Sequence, residues 1–216
     1  VGRSGQYVLG DAVTDFESSF ALFCDTNHAV SCANASDGLE IALKAVGVGP
    51  GDEVITAANS FVSSGGAIAA LGAIPIFADV RDDLNIDPDS IEQNITKKTK
   101  VIMPVHLTGR PAPMDEILLL AKRYKLKVVE DSAQAVGALY KGKKVGSIGD
   151  VGVFSLHPLK NLHVYGDGGI ITTNNSELNT FMLKYRNHGL RDRDNSEFWG
   201  KNSRLDSLQA KIASYK

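Results

Sequence analysis

The chain has 216 residues, 43% hydrophobic and 22% charged, with a formal net charge of −2. That balance is typical of a globular protein with a sizeable core, and it excludes binding to nucleic acid or an acidic membrane driven by a basic surface. No window approaches the roughly 18–20 apolar residues of a membrane span, and the opening stretch "VGRSGQYVLG" lacks a signal-peptide core.

Residues 11–23, "DAVTDFESSFALF", set Val13, Phe16, Phe20 and Phe23 at spacings of three and four, which predicts an amphipathic helix. After the short apolar run in "HAVSCANAS", the stretch "SDGLEIALKAV" predicts a second helix. Gly47 or Gly49 suits a left-handed cap there, and Pro50 prevents continuation. The remainder alternates. Strands are predicted at 53–57, 74–80, 100–106, 127–132, 151–156 and 168–174. A small-residue helix, "SSGGAIAALG", separates the first two, and another covers 114–125 with Ile117, Leu118, Ala121 and Tyr124 on one side. "YKGKK" at 140–144 reads as a solvated hairpin turn, and "FWGKNSRLDSLQAKIASYK" begins a further helix. Strands that are nearly all apolar belong in a parallel sheet covered on both faces. Their alternation with helices predicts an α/β fold, a doubly wound and mostly parallel sheet with helices on both faces. Cys24 and Cys32 sit in no CxxC pair and no metal-ligand spacing, so two reduced thiols, no metal and a cytoplasmic location are expected.

In an open parallel sheet, ligands bind beyond the C-terminal ends of the strands. Asp131 directly follows the apolar run "KVVE", as a turn aspartate or as a site carboxylate, and Gln134 lies three residues further on. Ser36 opens a helix. It serves there as an N-cap, or it borders a phosphate site built from free N–H groups and the positive dipole end. Ala35 and Gly38 are small enough to let a phosphate approach. Neither GxGxxG nor GxxxxGK[ST] occurs, which argues against dinucleotide and P-loop chemistry. Phe61, after strand 53–57, is a core residue or a face for a flat aromatic ligand. Lys160, in "SLHPLKNLHVYGDGG", is a loop lysine or an imine-forming nucleophile beside a dry sheet edge. His157 and His163 flank it without a definable role. Taken together, a lysine to form an imine, a carboxylate for a ring nitrogen, an aromatic to stack and a helix N-terminus for phosphate are the requirements of pyridoxal 5'-phosphate.

At that point the sequence resembles the DegT/DnrJ/EryC1/StrS family of sugar aminotransferases, which have the aspartate-aminotransferase type fold. The matching stretches run in family order through the whole chain: "YVLG…FE" (7–17), "NASDGLEIAL" (34–43), "GDEVITAANSFVSS" (51–64), "GAIPIFADV" (72–80), "VIMPVHLTG" (101–109), "VVEDSAQAVGA" (128–138), "GDVGVFSLHPLKNL" (149–162), "GDGGIITTN" (166–174) and "RNHG…NSRLDSLQA" (186–210). The resemblance implies that Lys160 is the Schiff-base lysine and Asp131 the partner of the pyridine nitrogen. It further implies that Gln134 contacts the ring near its phenolic oxygen, that Phe61 stacks on it, and that Ala35, Ser36 and Ser155 bind the phosphate. Asn202 resembles the asparagine that reaches the phosphate of a neighbouring subunit, which implies a homodimer with shared active sites. The implied reaction moves an amine from a donor, usually glutamate, to a keto group on a nucleotide-linked sugar. One local departure is that Ala35-Ser36-Asp37 replaces the common Gly-Thr-Asp. The family's sugar 3-dehydratases have histidine in place of the lysine, so the lysine present here favours transamination.

The resemblance divides the chain into an N-terminal helical segment (1–30), a cofactor-binding large domain (31–190) and the start of the connection to a small C-terminal domain (191–216) that is itself absent. That absence motivates a second expectation, a non-catalytic remnant or regulatory protein of the same fold. An aminotransferase-like enzyme with a non-sugar substrate, such as one making an aminohydroxybenzoate, is a third.

Overall fold

The computed structural model describes residues 1–216. In chain order it contains helix α1 (Asp11–Phe23), β1 (His28–Cys32), α2 (Ala35–Ala45), β2 (Glu53–Ala57), α3 (Val62–Ala70), β3 (Ile74–Ala78), α4 (Pro88–Asn94), β4 (Thr99–Met103), α5 (Met114–Tyr124) and β5 (Lys127–Asp131). A small hairpin of β6 (Leu139–Tyr140) and β7 (Lys143–Lys144) follows, then β8 (Val151–Ser155), β9 (Gly169–Thr173) and α6 (Ser176–Tyr185). A second hairpin, β10 (Leu190–Asp192) and β11 (Asn195–Ser196), leads to α7 (Ser207–Ala213).

Seven strands form one sheet in the order β1-β9-β8-β5-β4-β2-β3. β3, β2, β4, β5 and β8 are mutually parallel, and β9 runs antiparallel to both its neighbours, β8 and β1. The doubly wound, mostly parallel α/β sheet expected from the sequence is therefore present. The direction of β9 was not legible, because "GIITT" is buried throughout and a strand buried on both faces shows the same apolar run in either direction.

Adjacent strand residues serve opposite layers, as a two-residue period requires. Val54, Val101, Val129, Val153 and Ile171 pack with α2, α3 and α6 on one face. Ile55, Ile102 and Val128 pack with α4 and α5 on the other, where Phe154 and Ile170 meet α1 and α7. Helices thus cover both faces of the sheet. The helix α1 stripe is buried at Val13, Phe16 and Phe20 but not at Phe23, which is exposed and carries the Lys144 ammonium 4.4 Å over its ring. On α5 the buried face is Met114, Ile117, Leu120 and Ala121. Tyr124 points outward and Leu118 is only partly covered, so the expected stripe was rotated by part of a turn. α4 and α6 were not predicted. Both begin with side-chain caps, Asp87 to the Asp89 amide and Asn175 to the Glu177 and Leu178 amides, but each buries only two residues.

Gly47 takes the left-handed conformation after α2, with φ +92°. The two thiols are far from reactive, since burial pushes Cys24 and Cys32 each up to about 12. No helix is long and apolar enough to cross a membrane.

Candidate active site

The C-terminal ends of β1, β2, β5 and β8 open on one side of the sheet, where a cavity of about 550 Å³ lies between them. That volume is ordinary for a cofactor pocket. Seven of the eight residues singled out in the sequence line it: Ala35, Ser36, Phe61, Asp131, Gln134, Ser155 and Lys160.

After β1 the chain enters α2 with Asn34 as its N-cap; its Oδ1 accepts the Asp37 amide at 2.8 Å. Ser36, expected as the cap, instead sits one residue inside the helix and donates its hydroxyl to Ser63 Oγ at 2.8 Å. The amides of Ala35 and Ser36 fall in the first turn, where a helix offers no acceptor. They line the cavity and are open to an anion. Two glycines set this turn against the sheet. A Cβ on Gly38 would lie 2.8 Å from Val153 Cγ1, and one on Gly169 would lie 2.6 Å from the Asn34 carbonyl carbon. Ser155, buried at the end of β8, accepts the His157 amide at 3.3 Å, which leaves its hydroxyl hydrogen free to donate.

Asp131 ends β5 and is 4% exposed. Burial pushes its carboxyl above the ordinary value, opposed by hydrogen bonds from Ser64 Oγ to Oδ2 (2.8 Å) and from the Ala133 amide to Oδ1 (3.2 Å). A buried carboxylate with so few donors favours a cationic partner in the cavity. Gln134 accepts the Thr108 amide at its Oε1 (2.8 Å), so its NH2 group is the end left to donate. Phe61 caps α3 at the cavity edge and is 69% exposed, a flat apolar face open to a ring.

Lys160 is half-buried in a loop fixed from several sides. Its amide donates to the His157 carbonyl (2.8 Å), and its carbonyl faces His163 Nδ1 (3.1 Å). Asn161 donates to the Val136 carbonyl (2.8 Å), and Leu156 pairs with Gly168 (2.8 Å) at the entry to β9. His163 therefore shapes the lysine's loop, and His157 lines the cavity beside it.

Four contributors were missed in the sequence. Ser64, in the first turn of α3, reaches Asp131 from 67 positions away, and Ser60 in turn contacts Ser64 at 2.6 Å; only the serine-rich string "NSFVSS" hinted at either. His106 and Glu130 form a pair with no exposed side-chain area. His106 Nδ1 accepts the Ala112 amide (3.0 Å), so Nε2 carries the hydrogen it shares with Glu130 Oε2 (2.9 Å). Glu130 also accepts the amides of Gly146, Ile148 and Gly149. The His106 amide donates to the Asp131 carbonyl at 3.0 Å. This network fixes the strand end that presents Asp131.

Asn202 is the one predicted site residue that does not line the cavity. It is exposed, and its backbone bridges to Asn187.

The sequence profile of the DegT/DnrJ/EryC1/StrS aminotransferase family matches residues 1–216. The chain is 48% identical over 217 residues to a "Pleiotropic regulatory protein" of Geobacillus stearothermophilus, with all of this chain and 58% of the relative covered. It is 43% identical over 210 residues to the dTDP-3-amino-3,4,6-trideoxy-alpha-D-glucose transaminase of Streptomyces venezuelae, covering 97% of this chain and 55% of the relative. The structure superposes on Bacillus subtilis NtdA, solved with bound cofactor PMP, with a TM-score of 0.94 at 37% identity, covering 99% of this chain and 49% of the other. The chain thus spans about half to three-fifths of the length of the relatives it matches. By sequence profile, by identity and by fold, the chain belongs to the DegT/DnrJ/EryC1/StrS aminotransferase family.

Proposed function

We propose that the cavity is the cofactor site of a pyridoxal 5'-phosphate-dependent aminotransferase that aminates a nucleotide-linked keto sugar, with glutamate as donor. The observation that carries this reading is the convergence of Lys160, buried Asp131 and the open α2 amides on one cavity. The residues fit the group: an anion acceptor at the α2 end, a buried carboxylate at the β5 end, an exposed aromatic face and a lysine. When bound, pyridoxal 5'-phosphate supplies an electron sink through which an amine can leave one substrate and enter another.

Lys160 is the residue that would attach the cofactor and, once free, would carry a proton between the donor's Cα and the cofactor's C4′. Asp131 would hold a proton at the ring nitrogen, which its burial beside Ser64 suits. The NH2 group of Gln134 would donate to the phenolic oxygen. Phe61 would cover the ring and keep water from it. The Ala35 and Ser36 amides, with Ser155, would bind the phosphate. The working form is a homodimer in which Asn202 serves the neighbouring subunit's phosphate, and its exposed position supports this. The sugar assignment rests on the relatives, of which the Streptomyces venezuelae protein is named a dTDP-amino-sugar transaminase.

One observation favours a regulatory reading, the name of the Geobacillus relative at 48% identity. Adding pyridoxal 5'-phosphate and then glutamate separates the two. The aminotransferase reading predicts a visible absorbance band that is absent from Lys160→Ala and bleaches with glutamate. A stable band that no amino donor alters points to the regulatory reading, and no band at all defeats both.

A further inference from the structure

The first two turns of α2, which begins with the Ala35 and Ser36 amides at the cavity, carry two carboxylates, Asp37 and Glu40. In the apoprotein these charges suit the positive end of the helix, but a phosphate dianion at the same amides would be repelled by them. One cation answers both. Lys201 Nζ lies 2.8 Å from Asp37 Oδ1 and 2.5 Å from Glu40 Oε2. Lys201 is not held there by its side chain alone. Its amide donates to the Tyr185 carbonyl (2.6 Å), and its carbonyl accepts the His188 amide (2.9 Å). Two residues on, buried Ser203 donates its amide to the Arg186 carbonyl (2.9 Å) and accepts the Ala33 amide at Oγ (3.1 Å). The 201–203 segment is therefore pinned across the start of α2, with a lysine aimed at its acids.

We infer that Lys201 is an electrostatic positioning residue for the phosphate: its positive charge offsets part of the double negative charge of Asp37 and Glu40, so that the first turn of α2 can accept a dianion. It does not line the cavity and need not touch the cofactor. This inference rests on the phosphate placement proposed above.

The test compares pyridoxal 5'-phosphate with pyridoxal, which lacks the phosphate, by titrating each into the protein and following the Lys160 band. Lys201→Met is expected to weaken the phosphorylated form about tenfold, the order for one unit charge acting through a partly screened protein edge, and to leave pyridoxal unchanged. The deficit should shrink as salt rises from about 0.05 to about 0.5 M, because screening shortens the reach of the carboxylates. Asp37→Asn/Glu40→Gln in the presence of Lys201 should raise the preference for the phosphorylated form, and the triple variant should restore it. Equal loss of both ligands in Lys201→Met would make Lys201 a packing residue and overturn the inference. An unchanged preference in Asp37→Asn/Glu40→Gln would overturn it independently of how Lys201→Met folds. Absence of a band in the wild-type protein would instead count against the cofactor site itself.

Discussion

Replacing Ser64 with alanine removes a single oxygen, but one aimed at the carboxylate on which the proposed chemistry depends. Ser64 is 1% exposed and donates to Asp131 Oδ2 at 2.8 Å, while the other oxygen has only the Ala133 amide at 3.2 Å. A hydrogen bond to a buried charged group is worth about 1.5–3 kcal/mol, so ionised Asp131 loses about that much support. Converted to binding, the loss is about ten- to a hundredfold in cofactor affinity at neutral pH. The deficit should widen as pH falls. Burial already raises the Asp131 carboxyl, and loss of Ser64 raises it further. A larger fraction of the variant is then protonated and unable to hold a cationic ring nitrogen. The assay is titration of apoprotein with pyridoxal 5'-phosphate at several pH values, read at the visible band. An affinity within about twofold of wild type across the series would refute the reasoning, since a bond of this class cannot be removed at so little cost if Asp131 bears the charge.

Phe61→Ala should leave stability within about 0.5 kcal/mol, as for other exposed positions, yet weaken cofactor binding about tenfold through the lost stacking face; equilibrium unfolding and the same titration read the two effects. Asp131→Asn should change how the apoprotein responds to pH. Because the folded carboxyl titrates above its ordinary value, the folded state binds more protons than the unfolded state between those two values. Wild-type stability therefore falls as pH rises through that window and is flat above it. The asparagine variant should lack the fall, as urea midpoints taken in pH steps would show, and parallel curves would contradict it. Glu130→Gln should cost about 3 kcal/mol, because an amide NH2 would face donors among His106 and the three loop amides that the carboxylate now accepts; a urea midpoint equal to wild type would show that those bonds contribute nothing.

Much of the fold could be read along the chain, and the exceptions have physical reasons. The runs "EVITA" and "VGVFS" are almost wholly buried, and the alternation of such runs with helices leaves few arrangements other than a doubly wound sheet. What could not be read depended on partners distant in sequence. The side of α5 that packs inward includes Leu120 and leaves Tyr124 outside, because the neighbouring strands, and not the helix's own periodicity alone, decide the last part of a turn. Lys160, Asp131 and Phe61 were legible as strand-end residues of the right chemical types. Ser64 was not, since a serine reveals its partner only once α3 is laid over β5. Lys201 was equally silent. Its two carboxylates are more than a hundred and sixty positions upstream by sequence number, and only the folded 201–203 segment brings them together.

The central claim, that Lys160 and Asp131 grip one pyridoxal ring from opposite ends, is tested most directly by a crystal structure of the protein soaked with pyridoxal 5'-phosphate, before and after glutamate. The account predicts continuous density from Lys160 Nζ to the ring, with the ring nitrogen against Asp131 and the phosphate at the Ala35 and Ser36 amides, and a break in that density at Lys160 once glutamate is added. A ring bound elsewhere, or one in this cavity with its nitrogen turned away from Asp131, would contradict it.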